Sequence, residues 1–193
     1  MSASASHSVL EPSPWIVRFA HLVPREARVL DLACGHGRHA RFFAGRGARV
    51  LAVDRDADAL STLAGIRGIE TRVADLEARG WPLDDERFDA IVVTNYLHRP
   101  LFAPMLAALA PDGTLLYETF AAGNEVYGRP SNPAFLLERN ELAEVLGKRV
   151  TIVAFEQGHL SAQGHDAVVQ RVAAVGTSRA WPPLLRAEGG AAT

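Results

Sequence analysis

Cysteine is almost absent from this chain, since Cys34 is the only one among 193 residues. A single cysteine excludes an internal disulfide and favours a reducing compartment, so we expect a cytoplasmic protein. No apolar run approaches the ~20 residues needed to cross a bilayer, so the sequence gives no support for a membrane partner. The first residues have neither a basic start nor an apolar core, and they do not predict a signal peptide.

Lysine is equally scarce: Lys148 is the only one among the 20 basic residues, and the net charge is −2. The arginines are scattered along the chain without a basic run, which gives little support for a nucleic-acid partner. An arginine patch formed by folding stays open at this point. Because the chain is too short for an added RNA- or protein-binding domain, we expect a small-molecule substrate. For the assembly we expect a monomer or a homodimer.

The chain does contain a repeated alternation of short apolar runs and helix-like segments. The apolar runs are rich in Val, Ile and Leu with little alternation, which is typical of parallel strands buried on both faces. These predicted strands cover residues 28–32, 49–53, 71–74, 88–94 and 114–120. Predicted helices lie between them at residues 38–45, 56–63 and 101–109.

Two more strand-like runs, residues 149–156 and 167–176, are joined by about ten residues with no room for a crossover helix. We therefore expect them to pair antiparallel. The whole pattern predicts an α/β fold with a Rossmann-like, doubly wound, mostly parallel seven-stranded sheet that ends in an antiparallel hairpin, with helices on both faces. The predicted domain spans residues 13–177, with a disordered segment at 1–12 and a flexible tail at 178–193.

Polar residues lie at or directly after the ends of the first four predicted strands, at Asp31, Asp54, Asp75 and Asn95. Because ligands of open α/β sheets bind outside the carboxyl ends of the strands, we expect these side chains to line one crevice. A carboxylate that ends the second strand suits a ribose diol, and Asp75 suits the exocyclic amine of adenine.

Two glycines, Gly35 and Gly37, stand between the first strand and the first predicted helix. Glycine lets the backbone approach a ligand closely and tolerates positive φ, and the helix N-terminus adds free N–H groups. Residues 35–40 match the dinucleotide pattern G-x-G-x-x-G/A, with Asp54 at the expected distance, so an NAD(P)-binding oxidoreductase is one interpretation.

The charge of Asp31 favours a different ligand. This carboxylate repels a pyrophosphate and attracts an ammonium or a sulfonium. S-adenosylmethionine carries both cations, a ribose and an adenine, and it has no phosphate. We therefore predict S-adenosylmethionine as the cofactor, and no metal.

Five stretches carry a resemblance to a known family: VLDLACGHG at 29–37, AVDRD at 52–56, VADLE at 73–77, FDAIVVTNYLH at 88–98 and APDGTLLYETF at 110–120. In this pattern the chain resembles class I S-adenosylmethionine-dependent methyltransferases over residues 13–176. Their glycine motif is usually D/E-x-G-x-G-x-G, and Ala33 replaces its first glycine here. Residues 35–56 and 127–137 are most similar to small bacterial methyltransferases of the tellurite-resistance type.

The resemblance implies a set of cofactor contacts in the motif loops. These are Asp31, Ala33, Cys34, Gly35, His36, Gly37, Asp54, Arg55, Asp75, Leu76, Asn95, Tyr96 and Leu97. In similar enzymes an initial helix closes over the cofactor, which suggests the same role for Trp15 and Arg18. We expect Cys34 to be a small structural residue in the loop and not a nucleophile.

The acceptor-site candidates come from the segment after the fourth strand and from a long Gly/Pro-rich loop: His98, Arg99, Tyr127 and Arg129. We expect methyl transfer by in-line displacement to a small molecule, with a general base only if the acceptor arrives protonated. An RNA or protein substrate on the same fold, the NAD(P) oxidoreductase, and a cofactor-binding module without turnover stay as alternatives.

Overall fold

The computed structural model describes residues 11–185 apart from 79, 84, 163 and 164. Residues 1–10 of the predicted N-terminal segment and 186–193 of the predicted tail lie outside the described residues.

The described strands form one seven-stranded sheet in the order β3-β2-β1-β4-β5-β7-β6. The first five strands are parallel, and β7 runs antiparallel to both β5 and β6. This topology confirms the predicted fold class. The strands are β1 (Arg28–Leu32), β2 (Arg49–Asp54), β3 (Ile69–Val73), β4 (Phe88–Thr94), β5 (Leu109–Phe120), β6 (Val150–Ala162) and β7 (His165–Gly176).

Short helices connect or flank these strands: α1 (Pro14–Phe19), α2 (Arg38–Gly45), α3 (Ala57–Ser61), α4 (Phe102–Ala108) and α5 (Glu141–Leu146). Single 3-10 turns lie at Ala20–Leu22, Arg99–Leu101, Asn124–Val126 and Pro133–Phe135. In the described part of the chain, no helix is long and apolar enough to span a membrane.

Both faces of the sheet are buried, because neighbouring residues of one strand enter opposite hydrophobic clusters. Val29 packs with α1, α2 and α3 on one face, and Leu30 packs with α4 and α5 on the other. Both side chains are fully buried. This packing explains the continuous apolar runs, since a strand covered on both sides has no solvent-facing positions.

The hairpin is longer than predicted. Of the ten residues expected to form a loop, residues 157–162, 165 and 166 instead extend β6 and β7, with Gln157 opposite Gln170 and Leu160 opposite Ala167. Gln157 and His159 are exposed, so this part of the hairpin is a solvated two-stranded ribbon. Because the ribbon has no buried face, its residues are mostly polar, and its sequence therefore predicts a loop.

Candidate functional site

A pocket of about 340 Å³ opens at the carboxyl ends of β1 to β5. It lies where β1 has β2 on one side and β4 on the other, which is the switch point at which open α/β sheets bind ligands. Its volume is in the range of small-molecule sites. The lining residues are Ala33, Asp54, Arg55, Ala74, Asp75, Leu76, Glu77, Asn95, Tyr96, Leu97, Thr119, Phe120, Pro130 and Phe135.

Eight of the predicted cofactor contacts line this pocket: Ala33, Asp54, Arg55, Asp75, Leu76, Asn95, Tyr96 and Leu97. The other five are Asp31, Cys34, Gly35, His36 and Gly37, and they belong to β1 and to the loop between β1 and α2.

The glycine loop follows a left-handed path, with φ of 54° at Ala33, 53° at Gly35 and 70° at Gly37. A Cβ added to Gly37 would lie 2.5 Å from Leu63 Cδ1, so this glycine is needed for packing. A Cβ added to Gly35 would meet nothing within 4 Å. Gly35 therefore keeps a space open that the protein itself does not fill.

Asp54 joins the end of β2 to this loop. Its Oδ2 accepts a hydrogen bond from Gly35 N at 2.7 Å, and its Oδ1 accepts one from Asp56 N at 2.9 Å. Each carboxylate oxygen can accept a second hydrogen bond, so Asp54 can still receive two hydroxyl groups. The carboxylate is thus held by the backbone in one orientation.

Asp75 fixes the next turn, because its Oδ1 accepts hydrogen bonds from Glu77 N at 2.9 Å and Ala78 N at 3.1 Å. Among the described lining residues, Asp54, Asp75 and Glu77 place three carboxylates in the pocket against one guanidinium, that of Arg55. This charge balance favours a cationic ligand and disfavours a pyrophosphate.

Asp31 is buried behind the loop at the start of α2. Its Oδ2 accepts a hydrogen bond from Ala40 N at 2.8 Å. Burial raises the pKa of Asp31 to about 7, while the Ala40 N–H and the charge of Arg38 oppose that rise. Burial, with the charges of Asp31 and Asp54, also raises the pKa of Cys34. Cys34 is therefore a neutral thiol, in keeping with a structural role.

Tyr96 brings an unsatisfied hydroxyl to the pocket wall. This oxygen is buried and has no hydrogen-bond partner among the described residues. Burial, followed by the charges of Glu77 and Asp75, raises the pKa of Tyr96 to about 12, so the phenol keeps its proton. A buried donor without a partner is unfavourable by about 1–3 kcal/mol, and an acceptor on a bound ligand would remove this penalty.

The four predicted acceptor-site residues do not line the pocket. The Arg99 guanidinium uses four of its five N–H groups: Nε and Nη2 pair with Glu141 at 2.6 and 2.8 Å, and Nη1 and Nη2 also donate to the carbonyls of Ala134 and Leu136. Arg99 therefore clamps the long loop to α5 instead of facing an acceptor. His98 lies behind the pocket, in a small cavity beside Tyr96.

The two loop candidates point elsewhere as well. Tyr127 stacks on His159 of β6, with ring centroids 4.6 Å apart and planes within 6°. Arg129 is exposed and is not among the lining residues. The loop instead contributes Pro130 and Phe135, which face Thr119 and Phe120 at the end of β5 across the same pocket.

The first helix also differs from its predicted role. Trp15 is 1% exposed, and its Nε1 donates to the Val172 carbonyl at 3.2 Å, so α1 packs on β7 rather than over the pocket. Arg18 pairs with Glu156 at 2.9 Å.

Buried polar contacts connect α1 to the strand ends. His39 is 1% exposed, and its Nε2 accepts a hydrogen bond from Ser13 N at 3.1 Å. The Ser13 hydroxyl donates to Glu118 Oε1 at 2.8 Å. Burial lowers the pKa of His39 to about 3, so this imidazole is neutral and its other nitrogen carries the proton, near Thr94 Oγ1. Across the described ranges, no group of three or more His, Cys, Asp and Glu side chains is arranged to hold a metal ion.

Comparisons with known proteins agree with this geometry. Residues 29–113 match the family described as methyltransferase domain, whereas no curated protein sequence matches the chain. TehB from Haemophilus influenzae has a similar structure, with a TM-score of 0.71 and 21% identity over 86% of this chain. This chain spans 63% of the length of TehB.

Two further structures have the same fold. A TehB-like SAM-dependent methyltransferase from Corynebacterium glutamicum has a TM-score of 0.65 and 19% identity, over 89% of this chain and 92% of that one. A 1,6-didemethyltoxoflavin-N1-methyltransferase from Burkholderia thailandensis, with bound 1,6-didemethyltoxoflavin and S-adenosylhomocysteine, has a TM-score of 0.63 and 25% identity, over 84% of this chain and 76% of that one. The predicted resemblance is confirmed.

Proposed function

We propose that this chain, which has the fold of the class I S-adenosylmethionine-dependent methyltransferases, transfers a methyl group from S-adenosylmethionine to a small acceptor. The observation that carries the proposal is the acidic pocket at the ends of β1 to β5, whose ribose-type carboxylate, Asp54, is hydrogen-bonded to the glycine loop. Bound there, S-adenosylmethionine would supply a methyl group already activated by its sulfonium.

The proposed cofactor contacts follow the order of the strands. Asp54 would accept the ribose hydroxyls, and Asp75 would accept from the adenine amine. The open space at Gly35 and the N-terminus of α2 would receive the methionine end. Asp31 lies behind this loop, and its ionised form would favour the ammonium. Asn95 and its neighbours would border the methionine chain from the β4 side.

The other half of the pocket is apolar, with walls formed by Leu97, Phe120, Pro130 and Phe135. Thr119, which is 2% exposed, adds a hydroxyl there. These walls would exclude water and hold a small acceptor in line with the methyl group. Positioning of this kind contributes up to about 7–11 kcal/mol to a displacement. Because these walls carry no carboxylate or imidazole, the proposed acceptor presents a free lone pair at neutral pH.

Two findings favour a small acceptor. The Burkholderia enzyme binds a small molecule beside S-adenosylhomocysteine on a similar fold. Within the described part of the chain, three carboxylates and a single arginine, Arg55, line the pocket, and this balance does not favour a nucleic acid as the methyl acceptor.

Calorimetric titration with S-adenosylhomocysteine and with NADH tests the cofactor directly. We expect S-adenosylhomocysteine to bind and NADH not to bind, because a pyrophosphate would face the carboxylates. Tight NADH binding without binding of the sulfur ligand would instead support an oxidoreductase.

Turnover needs a second experiment, in which the protein and S-adenosylmethionine are incubated with small amines, thiols and heteroaromatic compounds, and with tRNA and protein in parallel. Mass spectrometry then detects S-adenosylhomocysteine. We expect it to form with one class of small acceptor. If S-adenosylhomocysteine forms only with tRNA or protein, the methyl acceptor is a macromolecule. If the protein binds S-adenosylmethionine but forms no product with any acceptor, it is better described as a cofactor-binding module.

A further inference from the structure

Five arginines gather in a groove at the end of the sheet opposite the pocket, where β1, β2 and β3 begin. The groove has a volume of about 940 Å³, and Glu26 is the only acidic residue among its described lining residues. The arginines are scattered through the sequence, so their clustering arises only on folding. They are Arg25, Arg41, Arg46, Arg49 and Arg67.

The described part of the protein does not neutralise these guanidinium groups. None of the five forms an ion pair with a described residue. The contrast with other arginines is clear, since Arg28 pairs with Glu86 and Arg99 pairs with Glu141. A chain of net charge −2 therefore concentrates unpaired positive charge in one place.

Arg41 gives a second, independent indication of a ligand. Its Nη2 donates to the Thr62 carbonyl at 2.5 Å, which holds the side chain in the groove. Its Nε is buried and has no partner among the described residues. A buried charged donor without an acceptor is unfavourable, and an anionic ligand would satisfy it.

We propose that this arginine groove binds the phosphate backbone of a nucleic acid. Guanidinium groups match phosphate oxygens in a two-point geometry. No aromatic side chain is among the lining residues, so the described groove has neither the anchors of a protein interface nor platforms for stacking bases. The expected binding is electrostatic and independent of base sequence.

The groove and the pocket lie at opposite ends of the strands. β1 has five residues, so the two sites are separated by about 17 Å of sheet. A nucleic acid in the groove would therefore anchor the protein and would not present its bases to the pocket. The proposal does not depend on methyl transfer.

Fluorescence anisotropy with a fluorescein-labelled 20-nucleotide RNA of mixed sequence tests the proposal. Binding should weaken as salt rises, with a slope of log K against log[salt] near −3.5 if all five arginines contact phosphates, about −0.7 for each contact. A double variant, Arg49→Gln with Arg67→Gln, should bind at least tenfold more weakly at 50 mM salt and reduce the slope by about 1.4. A second RNA of scrambled sequence should bind equally well.

The matched control is Arg139→Gln with Arg149→Gln, which removes the same charge from two exposed, unpaired arginines outside the groove. It should retain wild-type affinity, and thermal unfolding should show that both double variants are folded. Absence of RNA binding by the wild type at 50 mM salt would overturn the proposal, as would equal losses in the two double variants. If polyglutamate of equal charge and at equal concentration displaces the RNA, the proposed partner of the groove would be an acidic polypeptide and not a nucleic acid.

Discussion

Replacing Tyr96 by phenylalanine removes one oxygen atom, and we expect it to affect ligand affinity and protein stability in opposite directions. In the free protein the Tyr96 hydroxyl is buried without a partner in the described residues, and it lies in the wall of the pocket. If a ligand accepts its proton, Tyr96→Phe should weaken binding. The same change should leave the folded protein as stable as before, or more stable, because an unsatisfied group disappears.

The expected size follows from the desolvation of one hydroxyl. An unsatisfied buried donor is unfavourable by about 1–3 kcal/mol. Ligand binding relieves this penalty in the wild type, whereas the phenylalanine variant has no such penalty to relieve. We therefore expect affinity for S-adenosylhomocysteine to fall by about five- to hundredfold, with stability rising by up to a similar free energy.

Tyr117→Phe is the matched control, because its hydroxyl is satisfied. Tyr117 donates to the Tyr96 carbonyl oxygen at 2.8 Å, in a fully buried position. Removing that donor should destabilise the protein by about 1–3 kcal/mol, so the two Tyr→Phe changes should shift stability in opposite directions. Calorimetry gives the affinities, and urea unfolding gives the stabilities. Unchanged affinity in Tyr96→Phe, or a loss of stability like that of the control, would refute the assignment.

Three further changes have expected outcomes. Asp54→Ala should weaken S-adenosylhomocysteine binding tenfold or more in calorimetry, because it removes both the ribose acceptor and the bond to the loop; unchanged affinity would remove Asp54 from the site. Gly37→Ala should lower the free energy of unfolding by about 1–3 kcal/mol, since its Cβ meets Leu63, whereas Gly35→Ala should lower affinity with a smaller loss of stability in urea. The stability of Asp31→Asn relative to the wild type should rise by up to about 1.4 kcal/mol per pH unit between about pH 4 and pH 7 and stay constant above pH 7. The sign follows from the raised pKa: the folded protein keeps a proton that the unfolded chain has released, so stability is lost as pH rises. Urea unfolding at pH 5, 6, 7 and 8 checks this, and a flat difference would contradict it.

Strands β1, β2 and β4 were predictable because nearly all of their residues are buried. The edge strand β3 is largely exposed, and it lies at Ile69–Val73 instead of the predicted residues 71–74. The bounds of β1 and β4 and of α2 agree with the sequence pattern, because the glycine loop separates β1 from α2 and the polar Asn95 directly follows β4. The position of Asp54 at the end of β2 was predictable for the same reason, whereas Asp75 lies two residues beyond the end of β3. Periodicity locates a strand end, and the topology of the sheet brings the ends together.

The acceptor half of the pocket was not predictable, because it depends on contacts between distant segments. Arg99 and Glu141 are 42 residues apart, and their pairing removes Arg99 from the candidates. Phe135 begins an apolar triplet that predicts core packing, yet it is 46% exposed at the pocket while Leu136 and Leu137 are buried. Composition alone could not distinguish the first member of this triplet from the other two.

The acidic pocket and the arginine groove at opposite ends of the sheet could have a simpler explanation, namely that their charges only complement the dipole of α2. Its N-terminus lies by the pocket and its C-terminus by the groove, so an acid at the first and an arginine at the second are favourable. That effect acts within one helical turn, and it accounts for Asp31 and Arg46. Asp75 follows β3, and Arg25 and Arg67 lie outside α2. These charges lie beyond the reach of the α2 dipole, and the groove arginines have no neutralising partners among the described residues. The arrangement therefore fits two binding surfaces of opposite sign, one for a cationic cofactor and one for a polyanion.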